Sequence, residues 1–509
     1  MPSIPQTEAQ RPLALAVDIG TSSARALVYD ARGFSLAGSE CQIGYELTTS
    51  AEGEASVDAD ELFELTLKVI DGALAQASGA GEIAVVGVAG FWHSLVVVDA
   101  EGTALTPVLL WADTRSREDV AQLKTELDRR EIWRRTGCYL HSSYWPGKLR
   151  WLQRTQPEVM AKAHGLYAFT DLLIGRLVGH GATTISMASG TGLLDQRRAR
   201  WDGRLVEKLG IDRELLPFID TKLTPLTGLS EEHRSRWPAL AGAEWVGGIG
   251  DGAAANIGSG GIGPDRIALT VGTSGAMRMA IPYQPRTRLN LPDVLWTYRL
   301  DRERAIVGAA VSNGGNVPAW VADLAGLDYA HGDWDSAEAM APDSHGLTML
   351  PFLTGERAPI WDDAAVGTVT GVRLSTGAPE LIRAGMEAVA YRFRMMYDGL
   401  KPVAAADHAI IANGGAILRS PSWLQMMADV LEHPVVALPP DEESTARGAA
   451  VLALEAAGLI DSVGSLRQPI EDGTVVEPIA ENVERYRAGR ARQGALERAV
   501  GSLSRENRG

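Results

Sequence analysis

Cysteine is scarce in this chain, with two residues, Cys41 and Cys138, among 509. They stand far apart with no Cys-x-x-Cys spacing, which argues against a disulfide framework, an iron–sulfur site or a zinc ribbon. Long apolar runs are missing too, because no stretch approaches the roughly 18–20 residues that span a bilayer. The first residues are polar and proline-bearing, unlike a secretory signal. We therefore expect a cytoplasmic protein with no membrane partner.

Basic residues are also in deficit. The chain has 48 Lys and Arg against 64 Asp and Glu, a formal net charge of −16. Such a balance repels the phosphates of nucleic acids unless basic residues are concentrated in one patch. The Arg-dense stretch at 485–507 has Ala and Leu at helical spacing and mixed charge, which is typical of a solvated terminal helix. We expect no nucleic-acid partner.

What the chain does contain is length and a repeat. At about 100–200 residues per domain, 509 residues predict at least two domains. The stretch IGTSSARALV at 19–28 returns half a chain later as VGTSGAMRMA at 271–280. Each copy places a Gly-Thr-Ser turn between two apolar stretches, so each half is predicted to open on a strand, a turn and a second strand.

Further strands are predicted at 83–89, 94–98, 409–412 and 435–438, with helical patterns between them, which indicates an α/β protein. One helix is predicted after Pro379, because apolar residues recur at steps of three and four from Ile382 to Met396. A second is predicted to begin at the N-cap Ser420 and to end before Pro434.

The repeated turn has chemistry that suits phosphate. Glycine permits a sharp bend, after which backbone N–H groups and hydroxyls converge on an anion. A plain β-hairpin is the alternative for one such turn taken alone. Two copies in similar domains favour a cleft in which each domain offers one turn to a single polyphosphate. The residues concerned are Gly20, Thr21, Ser22, Gly272, Thr273 and Ser274.

Two lone carboxylates stand beside these turns. Asp18 ends an apolar strand, where an unpaired charge is costly, so it is a candidate to hold Mg²⁺ beside a nucleotide, with capping of the turn as the alternative. Asp251 lies among glycines and alanines in GGIGDGAAANIGSGG between the two halves. It could act as general base for a hydroxyl at the domain junction, while a Gly-Asp-Gly turn without chemistry is the commoner use of these letters.

A polar and aromatic cluster in the first half suits a sugar or polyol. His93, Trp111, Asp113 and Arg115 follow apolar stretches and combine an indole face with hydroxyl-binding groups. A core histidine and a surface Asp–Arg pair are the alternative. Two glycine pairs, in NGGNVPAW at 313–320 and ANGGAILRSPSW at 412–423, are suited to close approach of a ligand to the backbone.

Taken together, these motifs resemble the FGGY-type carbohydrate kinases of the actin, sugar kinase and Hsp70 ATPase superfamily over nearly the whole chain. The resemblance implies two duplicated ribonuclease H-like α/β domains with an active-site cleft between them. It makes Asp251 the catalytic base and places His93 and the 111–115 stretch in the sugar pocket. It assigns the nucleotide to the two turns and to an adenosine motif. The further residues implied to bind nucleotide are Gly315, Gly414, Gly415 and Ala416.

The domain boundaries expected from the motifs are 1–246 and 247–485, with a helical or frayed tail at 486–509. Within the family, the gluconate kinase branch is the most similar, and xylulose kinases are the nearest competitors. A sugar-acid carboxylate would want a cation, and the sequence does not rank the four candidates in the motifs, Arg115, Lys148, Arg278 and Arg357.

The function predicted is transfer of the γ-phosphate of ATP, with Mg²⁺, to the terminal hydroxyl of an open-chain sugar acid, D-gluconate above others. A xylulose kinase or another ketose or polyol kinase is the alternative. A nucleotide-driven conformational ATPase and a sugar-binding regulator are alternatives of another class. The expected partner is the small-molecule substrate, and a homodimer stays open.

Overall fold

The computed structural model describes residues 3–179, 181–284, 291–327, 335–440 and 443–506. The strands, in chain order, are β1 (Leu13–Ile19), β2 (Ser23–Tyr29), β3 (Cys41–Gly44), β4 (Thr48–Thr49), β5 (Ala55–Val57), β6 (Ile83–Gly90), β7 (Val96–Val98), β8 (Val108–Leu109), β9 (Gly165–Tyr167), β10 (Ala182–Thr184), β11 (Leu194–Asp195), β12 (Arg200–Trp201), β13 (Phe218–Asp220), β14 (Glu244–Gly250), β15 (Arg266–Val271), β16 (Gly275–Pro282), β17 (Trp296–Arg299), β18 (Arg304–Val311), β19 (Thr348–Leu350), β20 (Thr368–Thr370), β21 (Ala409–Asn413), β22 (Val435–Ala437) and β23 (Thr474–Val476).

The helices, in chain order, are α1 (Ala59–Gln76), α2 (Arg117–Glu126), α3 (Arg129–Thr136), α4 (Trp145–Thr155), α5 (Pro157–Ala161), α6 (Phe169–Val178), α7 (Ile185–Gly190), α8 (Gly203–Lys208), α9 (Glu231–Arg236), α10 (Asp251–Gly258), α11 (Asn316–Leu324), α12 (Asp335–Glu338), α13 (Ala378–Leu400), α14 (Gly415–Leu418), α15 (Pro421–Leu431), α16 (Ser444–Ala456) and α17 (Ala480–Glu506). Across the residues that the structure describes, none of these helices is both long and apolar enough to cross a membrane.

Two large sheets repeat one topology. The first has the order β14-β6-β1-β2-β3, and the second has β22-β21-β15-β16-β18 at its centre, extended by β23 at one end and β17 at the other. β1 pairs antiparallel with β2 and parallel with β6, and β15 likewise pairs antiparallel with β16 and parallel with β21. The same strand order and directions in both halves confirm the prediction of two duplicated ribonuclease H-like domains.

The central strands explain the apolar stretches that open each half. β1 is paired along both edges, with β2 and β6, and is packed against α1 and α16, so its residues are buried except Asp18. β15 has the equivalent place in the second sheet, and it is buried except at its first residue and at Thr270. The polar residue two positions before each turn glycine, Asp18 or Thr270, is therefore partly exposed in an otherwise largely buried strand.

The two domains meet at a pair of equivalent helices. α10 follows β14 of the first sheet, and α16 follows β22 of the second. They cross closely, because a Cβ on Gly258 would lie 1.8 Å from the carbonyl oxygen of Ser444, and a Cβ on Gly448 would lie 1.8 Å from that of Ala254. Only glycine fits at either position without moving a backbone.

Both predicted helices are confirmed, as α13 and α15. The N-cap of α15 is as expected, since the Ser420 hydroxyl accepts from the backbone N–H of Trp423 at 3.2 Å. The expected boundary at residues 246 and 247 falls inside β14, and the one at 485 and 486 falls inside α17. α17 packs on the second domain through the buried Tyr486 and Gln493, whose amide donates to the carbonyl oxygen of Met349 at 2.9 Å.

Candidate active site

The two predicted phosphate turns are tight turns of antiparallel strand pairs. In the first, the Gly20 N–H donates to the Ser23 carbonyl at 3.0 Å, and in the second the Gly272 N–H donates to the Ser274 carbonyl at 2.9 Å. Hairpin geometry and phosphate binding are thus compatible, and the two alternatives do not exclude one another. Thr21 and Ser274 line the same cavity, and the side chains of Ser22 and Thr273 are exposed.

The glycine pairs predicted to approach the nucleotide lie against the second turn. The Gly315 N–H donates to the Gly272 carbonyl at 2.8 Å, and a Cβ on Gly315 would come within 2.7 Å of that oxygen. Gly414 has a φ of +98°, and a Cβ there would lie 2.6 Å from the Val271 carbonyl oxygen. Gly415 and Ala416 begin α14 directly after it. The structure therefore brings these predicted nucleotide residues together.

Asp18 is half-buried at the end of β1, directly across from Arg25 of β2. Among the described residues, its carboxylate has no hydrogen bond and no ion pair, because Arg25 is paired with Glu443. Burial raises the pKa of Asp18 to about 7, the negative Asp251 and Glu443 add to the rise, and Arg25 opposes it. A carboxylate that lacks a cation of its own fits the Mg²⁺ role predicted for it.

Asp251 is the first residue of α10 and faces the cavity. Its Oδ1 accepts from the Gly252 N–H at 2.7 Å and lies 3.5 Å from the backbone nitrogen of Trp92. Burial raises the pKa of Asp251, while Arg278 and the two backbone N–H groups act against the rise. The helix N-terminus and these N–H groups hold the carboxylate in one orientation, as a general base requires.

His93 is held rigidly in the cavity wall. Its backbone is left-handed, with a φ of 71°, and the Lys148 amine donates to its carbonyl oxygen at 2.8 Å. Its Nδ1–H donates to the Gly190 carbonyl, which leaves Nε2 as an acceptor. Burial lowers the pKa of His93 to about 3, so the imidazole is neutral at physiological pH. A neutral ring of this kind can accept a hydrogen bond from a substrate hydroxyl.

Trp111 joins the substrate side of the cavity to the first turn. Its indole N–H donates to the Thr21 hydroxyl at 3.1 Å, and the Arg357 guanidinium stacks over its ring at 4.6 Å. Trp111 therefore fixes the hydroxyl of the first phosphate turn and presents an aromatic face to the cavity at the same time.

Asp113 and Arg115 lie behind the cavity wall rather than in it. The Arg115 guanidinium donates to Asp113 at 3.0 and 2.6 Å, pairs with Glu54 at 3.0 Å and stacks on the Trp151 ring at 4.4 Å. Neither residue is among those lining the cavity. The Asp–Arg pair given as the alternative to a sugar contact is present, but it is not a surface pair, because Asp113 is buried and Arg115 is largely covered.

The cavity holds about 710 Å³ of space, part of it open to solvent, and is strongly aromatic. Trp296 and Tyr298 stack at 4.1 Å, and Trp92 meets Tyr298 edge-on at 4.7 Å. Gly250 makes room for this arrangement, since a Cβ there would lie 1.9 Å from the Trp92 ring. Four aromatic lining residues were missed by sequence reasoning: Tyr144, Trp296, Tyr298 and Trp361.

A partial signal for two of these aromatics existed. Trp296 and Tyr298 are two apart on β17, so both side chains lie on one face of the sheet. The sequence gives no indication that this face meets the first domain. That contact includes the Tyr144 and Tyr298 hydroxyls, 2.6 Å apart, and a hydrogen bond from the Thr297 N–H to the Gly137 carbonyl at 3.0 Å.

The four candidate cations are separated by the structure. Arg278 and Arg357 line the cavity, whereas Lys148 and Arg115 do not. The Lys148 amine is used by the His93 carbonyl, and burial lowers the pKa of Lys148 to about 7. The guanidiniums available to a ligand carboxylate are therefore those of Arg278 and Arg357.

Comparison with known proteins agrees with this arrangement. Residues 13–258 match the FGGY family of carbohydrate kinases, N-terminal domain, and residues 267–457 match its C-terminal domain. A gluconokinase from Bacillus subtilis (strain 168) is 29% identical over 488 residues, 93% of each chain. A gluconate kinase and a xylulose kinase from Lactobacillus acidophilus, both solved structures, superpose with TM-scores of 0.85 and 0.86, and each is 27% identical over 96% of this chain and 98% of its own. The chain belongs to the FGGY family of carbohydrate kinases.

Proposed function

We propose that this protein transfers the γ-phosphate of ATP to the terminal hydroxyl of an open-chain sugar acid, converting D-gluconate to 6-phosphogluconate. The observation that carries the proposal is the position of Asp251, whose half-buried carboxylate faces one cavity together with Thr21 of the first turn and Ser274 of the second. Similarity to gluconokinases over most of the chain supports the choice of substrate.

In the proposed reaction, Asp251 accepts the proton of the terminal hydroxyl. The hydroxyl oxygen forms a bond to the γ-phosphorus, the bond from that phosphorus to the bridging oxygen breaks, and ADP leaves with the electron pair. Phosphoryl transfer depends mostly on positioning and charge stabilisation, which rigid groups supply. The N–H groups that fix Asp251 keep its free oxygen directed at the hydroxyl.

The phosphates would lie between the two turns, against the hydroxyls and backbone N–H groups of Thr21, Ser22, Thr273 and Ser274, while the N–H groups of Gly20 and Gly272 close the turns. Asp18 would hold Mg²⁺, through water or directly, which when bound neutralises phosphate charge. Gly315 and Gly414 leave room for the nucleotide beside the second turn. Closure of the two domains on the bound substrates would exclude water, which otherwise competes with the sugar for the phosphate.

On the substrate side, His93 and Trp111 would contact the sugar directly. Asp113 and Arg115 would act by holding the wall that carries Lys148 and His93, because they face each other rather than the cavity. The second candidate substrate class is a ketose such as xylulose, which the similarity to a xylulose kinase structure favours.

The test is an ADP-coupled assay of the purified protein with Mg-ATP and D-gluconate, D-xylulose, glycerol or no acceptor, with ³¹P NMR of the product. We expect ADP release that requires gluconate and a product phosphorylated on the terminal carbon. Steady ADP release without any acceptor would indicate the conformational ATPase. Binding of sugar by calorimetry without turnover would indicate a regulator.

A further inference from the structure

The cavity walls carry more positive than negative charge. Among the described residues that line it, Asp251 is the one carboxylate, His93 is neutral, and Arg278 and Arg357 are both guanidiniums. The two cations are close enough that Arg357 lowers the pKa of Arg278. Like charges held together away from bulk water repel, so a bound anion would relieve the repulsion.

Arg278 is built into the wall without a partner of its own. Within the described ranges, its guanidinium has no hydrogen bond and no ion pair. Burial lowers the pKa of Arg278, and the negative charge of Asp251 is the largest effect that opposes this shift. Two glycines make room for it: a Cβ on Gly308 would lie 3.1 Å from its Cγ, and a Cβ on Gly252 would lie 3.0 Å from its Nε. The backbone is thus shaped around a guanidinium that no described acid neutralises.

Arg357 is placed differently. Its Nη2 donates to the Val311 carbonyl at 3.0 Å, and its guanidinium covers Trp111, whose indole N–H reaches Thr21. Arg357 is therefore anchored near both turns, because Val311 pairs with Gly275 directly after the second turn. Arg278 lies four residues along β16 from Ser274, roughly 13 Å of strand, so its backbone position is removed from the second turn.

We propose that Arg278, with Arg357 beside it, binds the carboxylate of an aldonate and is the residue that selects sugar acids over ketoses and polyols. The proposal rests on the proposed function and deepens it. The terminal hydroxyl of an aldonate meets Asp251 while its carboxylate, at the other end of the carbon chain, meets the guanidiniums. The transferred phosphate is the other anion that could use Arg278, and the experiment separates the two.

The test compares D-gluconate with D-glucitol, which has the same carbon chain and hydroxyls but a neutral end group. Binding is measured by calorimetry without nucleotide, and kcat/KM with Mg-ATP, for wild type, Arg278→Gln, Arg278→Lys and Arg302→Gln. Arg302→Gln is the control, an exposed arginine in a turn of the same sheet. Loss of a charged hydrogen-bonding partner should weaken gluconate binding about 30-fold in Arg278→Gln.

At a pH above the acid limb of every variant, the expected pattern is a loss on gluconate, little change on glucitol, partial recovery in Arg278→Lys and wild-type values in Arg302→Gln. The melting temperature should not fall in any of the three variants. Equal losses on gluconate and glucitol, or a raised KM for ATP alone, would assign Arg278 to the phosphate and overturn the inference while gluconate kinase activity stands. If the wild type phosphorylates no aldonate, the proposed function fails as well.

Discussion

The two halves of the molecule share a topology but differ in the residue that precedes each phosphate turn. Asp18 in β1 and Thr270 in β15 occupy the same place two residues before the turn glycine. Asp18 is half-buried, and burial raises its pKa to about 7, whereas the Thr270 hydroxyl is buried without a hydrogen-bond partner among the described residues. We therefore propose that one repeat supplies the acid for a metal and that the other supplies a neutral turn for phosphate.

The helices that follow the last parallel strand of each repeat, α10 and α16, also differ in their first residue. α10 begins at Asp251 and α16 begins at Ser444, and the two helices pack on each other through glycines. Duplication therefore provides the symmetric cleft, and single substitutions at equivalent positions provide the chemistry. Each of the following experiments changes one side of this comparison and uses its equivalent, or a neutral site, as the control.

The largest effect is expected for Asp251→Asn. Loss of the proton acceptor should lower kcat about 1,000-fold, in the range usual for a general base, with little change in nucleotide affinity. Ser444→Ala, the matched change at the start of α16, should keep wild-type turnover. Coupled assay and nucleotide titration check both variants, and near-normal turnover in Asp251→Asn would remove Asp251 from the mechanism.

Gly448→Ala should damage the helix crossing. A Cβ at this position would lie 1.8 Å from the Ala254 carbonyl oxygen, so α10 and α16 must separate, at a cost of about 3 kcal/mol. Gly494→Ala in α17 is the control, because its Cβ would meet just the Arg498 side chain at 3.6 Å, and it should raise stability by roughly 0.5–1 kcal/mol. Denaturant unfolding measures both changes, and equal effects would contradict the close crossing.

Asp18→Asn and Thr270→Val test the two turns against each other. The first should lower kcat/KM for Mg-ATP roughly 100-fold and raise the Mg²⁺ concentration needed for half-maximal rate. The second removes a buried, unpaired hydroxyl and should leave the rate unchanged with stability raised by about 1 kcal/mol. An unchanged Mg²⁺ requirement in Asp18→Asn would contradict the metal role of Asp18, and a raised requirement in Thr270→Val would place the metal beside the second turn.

At saturating Mg-ATP, where bound Mg²⁺ would keep Asp18 deprotonated, the pH dependence should show one acid limb, from Asp251. Burial raises its pKa above the ordinary 3.8, and the deprotonated form is required, so kcat/KM at saturating Mg-ATP should fall tenfold per pH unit below that pKa. Removing Arg278 takes away a charge that opposes the rise, so the limb should move to higher pH in Arg278→Gln. A limb with the ordinary pKa of a histidine would contradict the neutral His93, whose pKa is about 3.

The sequence predicted the features of the fold and the site that depend on neighbouring residues in the chain. The repeated strand and turn pattern, the start of α15 and the position of Asp251 between two halves are all properties of short stretches. The duplicated fold followed from them because equivalent strands at the start of each half take equivalent places in a sheet.

The parts that depend on distant contacts were not predictable in this way. Arg115 and Arg278 have the same side chain, and only the tertiary structure shows that one is neutralised by Asp113 while the other faces the cavity. Likewise, the role of Trp296 depends on where β17 meets the first domain, and nothing in its own strand specifies that contact.

The assignment of a sugar acid as substrate is tested most directly by the ratio of kcat/KM for D-gluconate to that for D-xylulose, measured on the wild-type enzyme at saturating Mg-ATP. We predict that kcat/KM is more than tenfold higher for gluconate, which corresponds to about 1.4 kcal/mol of transition-state discrimination. A ratio of ten or more in favour of xylulose would contradict the sugar-acid assignment, although the enzyme would remain a carbohydrate kinase.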